Sequence, residues 1–441
     1  MKRLNITAPG FAAAFTALLS RAATAPAVSD IVRAIIATIR SGGDAALLDY
    51  TNRFDRVRLT PQSMRVTPDE IAAAIAAISP EQSAAIALAA TRIERFHRAQ
   101  LPADFQYTDD TGATLGLRWG PLDAVGLYVP GGKASYPSSV LMNAIPARVA
   151  GVPRIAICVP TPDGVLNPLV LAAAAHAGVS EIYRIGGAQA IAALAYGTET
   201  IAPVDRITGP GNAYVAEAKR QLFGQVGIDS IAGPSEVLIL ADAAQNPDHL
   251  ALDVLAQAEH DEDAQAILIT DSPALADAVA AAVSSALTHL PRREIAGASW
   301  ARHGAIILVE TWDQAADLAN RIAPEHLQLM LADPHPLFAR IRHAGAVFLG
   351  ANTPEAIGDY VAGPNHVLPT MGTARFASGL SVYDFLKRTT WVALDNHALA
   401  AIGPAAVTLA QSESLTAHAQ SVAARLERDD ENLTSPKTRP I

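Results

Sequence analysis

The chain has 441 residues, beyond the roughly 250 to 300 at which a single hydrophobic core stops growing, so at least two domains are expected. Half of the residues are hydrophobic but only 5% are aromatic, so the core must be built from Ala, Val, Ile and Leu, which suits helices packed on a sheet better than a β-sandwich. With 33 basic against 43 acidic side chains, a formal charge of -10 and no clustered Lys/Arg stripe, binding to nucleic acid through phosphate neutralisation is disfavoured.

The N-terminal stretch MKRLNITAPGFAAAFTALLSRAATA has the basic start and later small residues of a signal peptide. Against export, Phe11, Phe15, Leu18 and Leu19 recur at helical spacing behind Pro9 and Gly10, and Arg21 interrupts the tail, which predicts a short amphipathic helix. From about Ile31 to Arg98 the pattern is helical, with DEIAAAIAAIS and QSAAIALAATRIERFHRAQ broken at Pro80. No run of 18 apolar residues occurs anywhere, so no membrane span is expected.

After a polar, hairpin-like piece, short strands alternate with Ala-rich helices: DAVGLYVP, RIAICVP, EIYRIGG, DRITGPG and SEVLILAD, then AQAILIT, GAIILVE, HLQLML and AGAVFLG. Strand followed by helix, repeated, implies crossovers and parallel sheets, here two Rossmann-like α/β domains of similar build. Cys158, the only cysteine, lies within RIAICVP, where a buried structural thiol is expected; an intrachain disulfide and a cysteine zinc knuckle are excluded. Two glycine-rich turns, GLYVPGGKASYPSS at 126–139 and ITGPGNAYVAEAKRQ at 207–221, each follow a strand and open a helix. They suit either an anion cradled on free backbone N–H groups or purely structural turns, and neither matches G-x-G-x-x-G.

Further along, LDVLAQAEHDEDAQAILIT places Gln257 and His260 three residues apart, on one face of a helix end. The pair is either a polar end near the surface or a two-donor bite on a metal. APEHLQLM sets Glu325 beside His326, a surface pair or an acid/base couple; AIGDYVAGPNHVLPT brings Asp359 and His366 into a Gly/Pro-rich loop; ESLTAHAQSV carries Glu413 and His418. Imidazole, carboxylate and, less often, an amide oxygen are ligand types that zinc accepts. The last sixty residues, from about Ser381, read as helices ending in the polar tail DDENLTSPKTRPI.

The combination resembles histidinol dehydrogenase from about residue 30 to 425. GLYVPGG, SYPSSVLMNAIPA, GGAQAIAALAYGTE, GPGNAYVAEAKRQ, AGPSEVL, QAEHD, APEHL, GDYVAGPNHVLPT and SLTAH occur in that family's order. The resemblance implies NAD-dependent, four-electron oxidation of L-histidinol to L-histidine through an aldehyde. It implies one zinc ion per active site, held by Gln257, His260, Asp359 and His418, which orients the substrate. Ser235 and Glu413 would complete the substrate pocket, with His366 a further contact, and Tyr128, Gln189 and Asn212 would touch the cofactor. His326 would take the alcohol proton and Glu325 would activate water. Family enzymes are homodimers with shared sites, so Glu413 and His418 would serve the partner's centre, in a cytoplasmic protein. The expected layout is a helical N-terminal extension (1–26), a discontinuous α/β domain (27–126 and 235–380), an inserted α/β domain (127–234) and a helical C-terminal extension (381–441). A related zinc- and NAD-dependent dehydrogenase of anionic polyols is disfavoured because Glu413 would repel such a substrate. A zinc hydrolase has no need of the glycine-rich turns, and a binding module has none of an acid/base pair.

Overall fold

The computed structural model describes residues 1–20, 26–131 and 136–426. In chain order its strands are β1 (Lys2–Asn5), β2 (Phe105–Thr108), β3 (Thr114–Pro121), β4 (Ala124–Tyr128), β5 (Arg154–Cys158), β6 (Glu181–Tyr183), β7 (Arg206–Thr208), β8 (Gly227–Ile228), β9 (Glu236–Ala241), β10 (Gln265–Thr270), β11 (Ala305–Leu308), β12 (His326–Met330), β13 (Ala346–Leu349) and β14 (Leu386–Ala393). They form two parallel sheets and one antiparallel sheet, so the expected α/β class with repeated parallel sheets holds.

The first parallel sheet runs β6-β5-β4-β7-β8. Its chain order reverses between β4 and β7, and such a reversal opens a crevice outside the carboxyl ends of the strands. The second runs β1-β11-β10-β9-β12-β13. β9 and β10 are buried along their whole length, as expected of parallel strands covered on both faces. Alternate residues feed two cores: Leu238 and Leu240 pack to one side with Phe15, Leu18 and Leu318, while Val237 and Ile239 pack to the other with Val254, Leu255 and Val279.

Helix starts follow local chemistry. Thr67, Ser79 and Thr311 each accept the N–H three residues on, while Glu70, Gln82 and Gln314 reach back to the cap N–H, and Pro68 and Pro80 fix the first helical φ.

The structure departs from the expected layout in three places. Val32, Ile35, Ile39, Leu47 and Leu48 of the helix Pro26–Asp55 pack with Ile185, Ile191, Leu194 and Val215, so this helix covers the five-stranded sheet rather than joining residues 235–380. Its apolar face is matched by the face of that sheet's own helices. Residues 1–26 are not a purely helical extension, because β1 adds to the edge of β11. The C-terminal segment opens with β14, whose KRTTWV run has the β-branched and aromatic content of a strand and pairs antiparallel with β3 from Leu386↔Pro121 to Ala393↔Thr114.

Residues 1–100 and 122–385 form one compact unit that holds both parallel sheets. Residues 101–121 and 386–441 form a second, built of β2, β3, β14 and the helices Asn396–Ser412 and Thr416–Leu426; the polar tail lies outside the described residues. Among the described residues no single helix is long and apolar enough to cross a membrane.

Candidate active site

Polar side chains gather at the amino ends of β9 and β12, where two helices stop. The helix Pro247–Ala258 carries Gln257 in its last turn with His260 just past its end, and the helix Trp312–Ile322 ends at Ala323, whose left-handed conformation (φ 49°) turns the chain into Pro324 and Glu325. His326 then opens β12, between Val237 and Ala346. The short helix Ala356–Tyr360 brings Asp359. A Cβ on Gly358 would lie 2.6 Å from the Phe348 ring, so only glycine lets this helix lie so close to β13.

His326 is 6% exposed, and its Nδ1 lies 3.0 Å from the Glu236 carbonyl. That contact calls for a proton on Nδ1 and leaves Nε2 as the basic nitrogen, 3.6 Å from Glu355 Oε1. Burial pushes the imidazole down to about 4, so it is neutral near pH 7. Glu325 Oε2 accepts the Glu236 N–H at 2.8 Å and stands 3.8 Å from His326 Nδ1; burial holds this carboxyl well above the usual range. Burial, with Asp359 and Asp253 nearby, likewise pushes Glu355 up to about 8.

Asp359 behaves differently. Burial acts to raise it, but His366, His326 and His260 outweigh burial and hold it below the usual range. His260 Nε2 lies 3.7 Å from Asp359 Oδ2, and His366 Nδ1 lies 3.5 Å from Oδ1 and 3.0 Å from the Asp359 carbonyl. Gln257 is 1% exposed, yet among the described residues neither its Oε1 nor its Nε2 has a hydrogen-bond partner. A buried amide with both ends unpaired is costly, and it is explained if a ligand completes it. Amide, imidazole and carboxylate together make a donor set that fits a divalent cation.

A second cluster lies at the carboxyl ends of the five-stranded sheet. Tyr128 closes β4, and its hydroxyl oxygen accepts the Gly187 N–H at 3.1 Å where the helix Gly187–Tyr196 begins. Gln189, in that helix's first turn, is 2% exposed, and its Oε1 has no partner among the described residues. Asn212 caps the helix Ala213–Leu222, its Oδ1 accepting from Tyr214 and Val215. Residues 132–135 of the first glycine-rich turn lie outside the described residues. Cys158 is fully buried and its thiol is pushed up by that burial, as a structural role requires.

The comparisons with known proteins bear on this geometry. The histidinol dehydrogenase family profile matches residues 19–426. Histidinol dehydrogenase of Gluconobacter oxydans is 61% identical over 97% of this chain and 100% of its own, and that of Ruegeria pomeroyi is 63% identical over 96% and 98%. A crystal structure of histidinol dehydrogenase from Elizabethkingia anophelis superimposes with a TM-score of 0.93 at 38% identity, covering 98% of this chain and 99% of that one.

The chain belongs to the histidinol dehydrogenase family. It is therefore an oxidoreductase enzyme.

Of the residues expected from the family resemblance, Glu325, His326, His260, Asp359 and His366 meet around one centre, with Ser235 next to Glu236 on the chain and Gln257 one turn before His260. Glu413 and His418 lie on the second compact unit, both exposed. Sequence reasoning missed Glu355, whose carboxylate lies with His326 and Asp359 in a group of ligand-type atoms all within 4.8 Å of one another. Its signal was present: Glu355 is four residues before Asp359, a spacing that puts two carboxylates on one helical face. Gln328, also missed, accepts the Glu355 N–H at 3.3 Å and donates to Asp253 at 2.7 Å.

Proposed function

We propose that this enzyme oxidises L-histidinol to L-histidine with NAD and zinc, through the aldehyde, as the final steps of histidine biosynthesis in the cytoplasm. The observation that carries the zinc assignment is the buried Gln257 amide, unpartnered among the described residues, on the helix end next to His260, whose imidazole stands beside Asp359. Gln257, His260, Asp359 and His418 would hold the ion, which when bound supplies a positive centre that orients the substrate. The family's relatives are named for histidinol, and an imidazole-bearing amino alcohol suits a centre rich in nitrogen and carboxylate ligands.

The remaining steps fall to the chain's own side chains. His326, neutral and basic at Nε2, takes the alcohol proton while hydride leaves the carbon for the nicotinamide. Glu325, tied to the Glu236 N–H, is the base that activates water to hydrate the aldehyde before the second hydride transfer. Asp359 holds His366 through its backbone carbonyl, and His366 and Ser235 contact the substrate. Tyr128, Gln189 and Asn212 bind the dinucleotide where strand ends and helix N-termini meet, the arrangement that favours a pyrophosphate. His418 and Glu413 would reach the partner's centre in a homodimer.

The deciding assay is to supply L-histidinol with excess NAD, with and without a strong chelator, and to count NADH. Two NADH per histidinol, abolished by the chelator and restored by zinc, is the expected result. One NADH would mean release at the aldehyde and remove Glu325 from its role, and none would overturn the substrate assignment.

A further inference from the structure

Lys219 is 1% exposed within the helix Ala213–Leu222. Its ammonium forms an ion pair with Asp229, whose side chain is 5% exposed, and donates to the Gly209 carbonyl at 3.0 Å. Asp229 Oδ2 accepts the Gly209 N–H at 2.8 Å. Both backbone polar groups of one glycine are thus held by the two halves of one buried ion pair.

Gly209 is the residue directly after β7. Its φ of 108° suits glycine, and a Cβ there would lie 2.1 Å from the Tyr128 carbonyl oxygen. The pair therefore presses the turn that leads to Asn212 against the end of β4, across the point where the sheet order reverses. Asp229 stands just past β8, and six residues further on Ser235 leads into Glu236, whose carbonyl holds His326. A buried ion pair is a weak source of stability, because removing two charges from water offsets most of their attraction. What this pair supplies is a fixed position for one turn.

We propose that Lys219 and Asp229 are positioning residues for the dinucleotide. They clamp Gly209 so that the turn 209–212 and the end of β4 stand at the separation the bound cofactor needs. The inference rests on the reading that the dinucleotide occupies the carboxyl ends of β4 and β7.

The test uses full-length, zinc-loaded protein and fluorescence titration with NADH, alongside the KM for L-histidinol, zinc content and Tm. The double variant Lys219→Met with Asp229→Asn removes both charges together, so no lone buried charge remains. Asn212→Ser keeps the helix cap but removes the amide, and reports on the site itself. The expected result is that both variants weaken NADH binding, the double variant by roughly tenfold or more since small misplacements are costly, while the KM for L-histidinol and the zinc content stay within about twofold. If Asn212→Ser weakens NADH binding but the double variant leaves it unchanged, or weakens both ligands alike as its Tm collapses, the positioning role is wrong and the site stands. If Asn212→Ser has no effect on NADH, the site and the positioning role fall together. Should the double variant fail to accumulate, Asp229→Asn alone, which keeps an acceptor for the Gly209 N–H, must show the same selective loss of NADH affinity.

Discussion

The two parallel sheets use opposite ends. In the five-stranded sheet the candidate ligand-binding residues Tyr128, Gln189 and Asn212 lie past the carboxyl ends of strands, where the helices Gly187–Tyr196 and Ala213–Leu222 begin. In the six-stranded sheet Glu236 and His326 stand at the amino ends of β9 and β12, where the helices Pro247–Ala258 and Trp312–Ile322 stop. Helix N-termini carry partial positive charge and free N–H groups, and C-termini partial negative charge and free carbonyls. One architecture thus sets helix N-termini, suited to an anion, at one sheet and helix C-termini, suited to a cation, at the other. The usual rule that open α/β sheets bind ligands at carboxyl ends describes only the first.

The largest way to break this comparison is at the amino end of β12. His326→Ala should lower kcat by about 10²- to 10⁴-fold, the usual worth of a positioned general base, and leave NADH affinity unchanged. Stopped-flow turnover beside NADH titration checks it; loss of NADH binding in the same variant would mean that the two ends do not divide the work. Next in size is the cation end. Gln257→Leu replaces an unpartnered amide with an apolar group of similar size, so the fold should be kept or stabilised while zinc affinity falls at least ~10-fold. Metal content after dialysis and Tm together decide this, and a variant that keeps its zinc removes Gln257 from the ligand set.

At the anion end, Gly209→Ala forces a side chain to within 2.1 Å of the Tyr128 carbonyl oxygen at a φ of 108°. The expected cost is roughly 1–3 kcal/mol of stability together with weaker NADH binding, and zinc content should not change. Equal damage to zinc and NADH binding would mean that the two ends are one cooperative site.

Much of this was legible in the sequence because it rests on local pattern. SEVLILAD and AQAILIT read as strands since each centres on an unbroken apolar run, VLILA and AILI. The Gln257–His260 spacing marked a helix end with two donors on one face. The family motifs supplied the roles that spacing left open. What was not legible depends on contacts distant in sequence. The LKRTTWVA strand was hidden in a segment read as helices because its partner, β3, lies about 270 residues earlier. The pairing of the helix Pro26–Asp55 with the five-stranded sheet depends on which apolar face it meets, and no periodicity states that. Glu355 carries only the four-residue spacing to Asp359, which is ordinary on a helix surface until the fold places His326 3.6 Å away.

The smallest effect sharpens the comparison at the joint between the two ends. His97, in the helix Pro80–Arg98, is fully buried, with Nδ1 2.8 Å from the Ile93 carbonyl and Nε2 3.4 Å from the Asn365 amide nitrogen. Asn365 donates in turn to the Met142 carbonyl at 2.6 Å and immediately precedes His366. With Nδ1 as the donor to Ile93, Nε2 of the neutral ring accepts from Asn365, while the carbonyls of Ile93 and Leu380 would favour a protonated ring. Burial outweighs those carbonyls and pushes this imidazole below its ordinary value. The unfolded chain, titrating near 6.5, then binds the proton at higher pH than the folded one. Stability from this group is complete above about pH 6.5 and is lost as pH falls from there toward the lowered folded value. His326, also lowered, contributes in the same direction, so the measurement is a difference: urea unfolding of the parent and of His97→Gln between about pH 7 and 5. The variant should be less stable at pH 7 but lose less on acidification. Parallel pH slopes would show that His97 binds its proton alike in the folded and unfolded chain, and that the joint carries no shifted group.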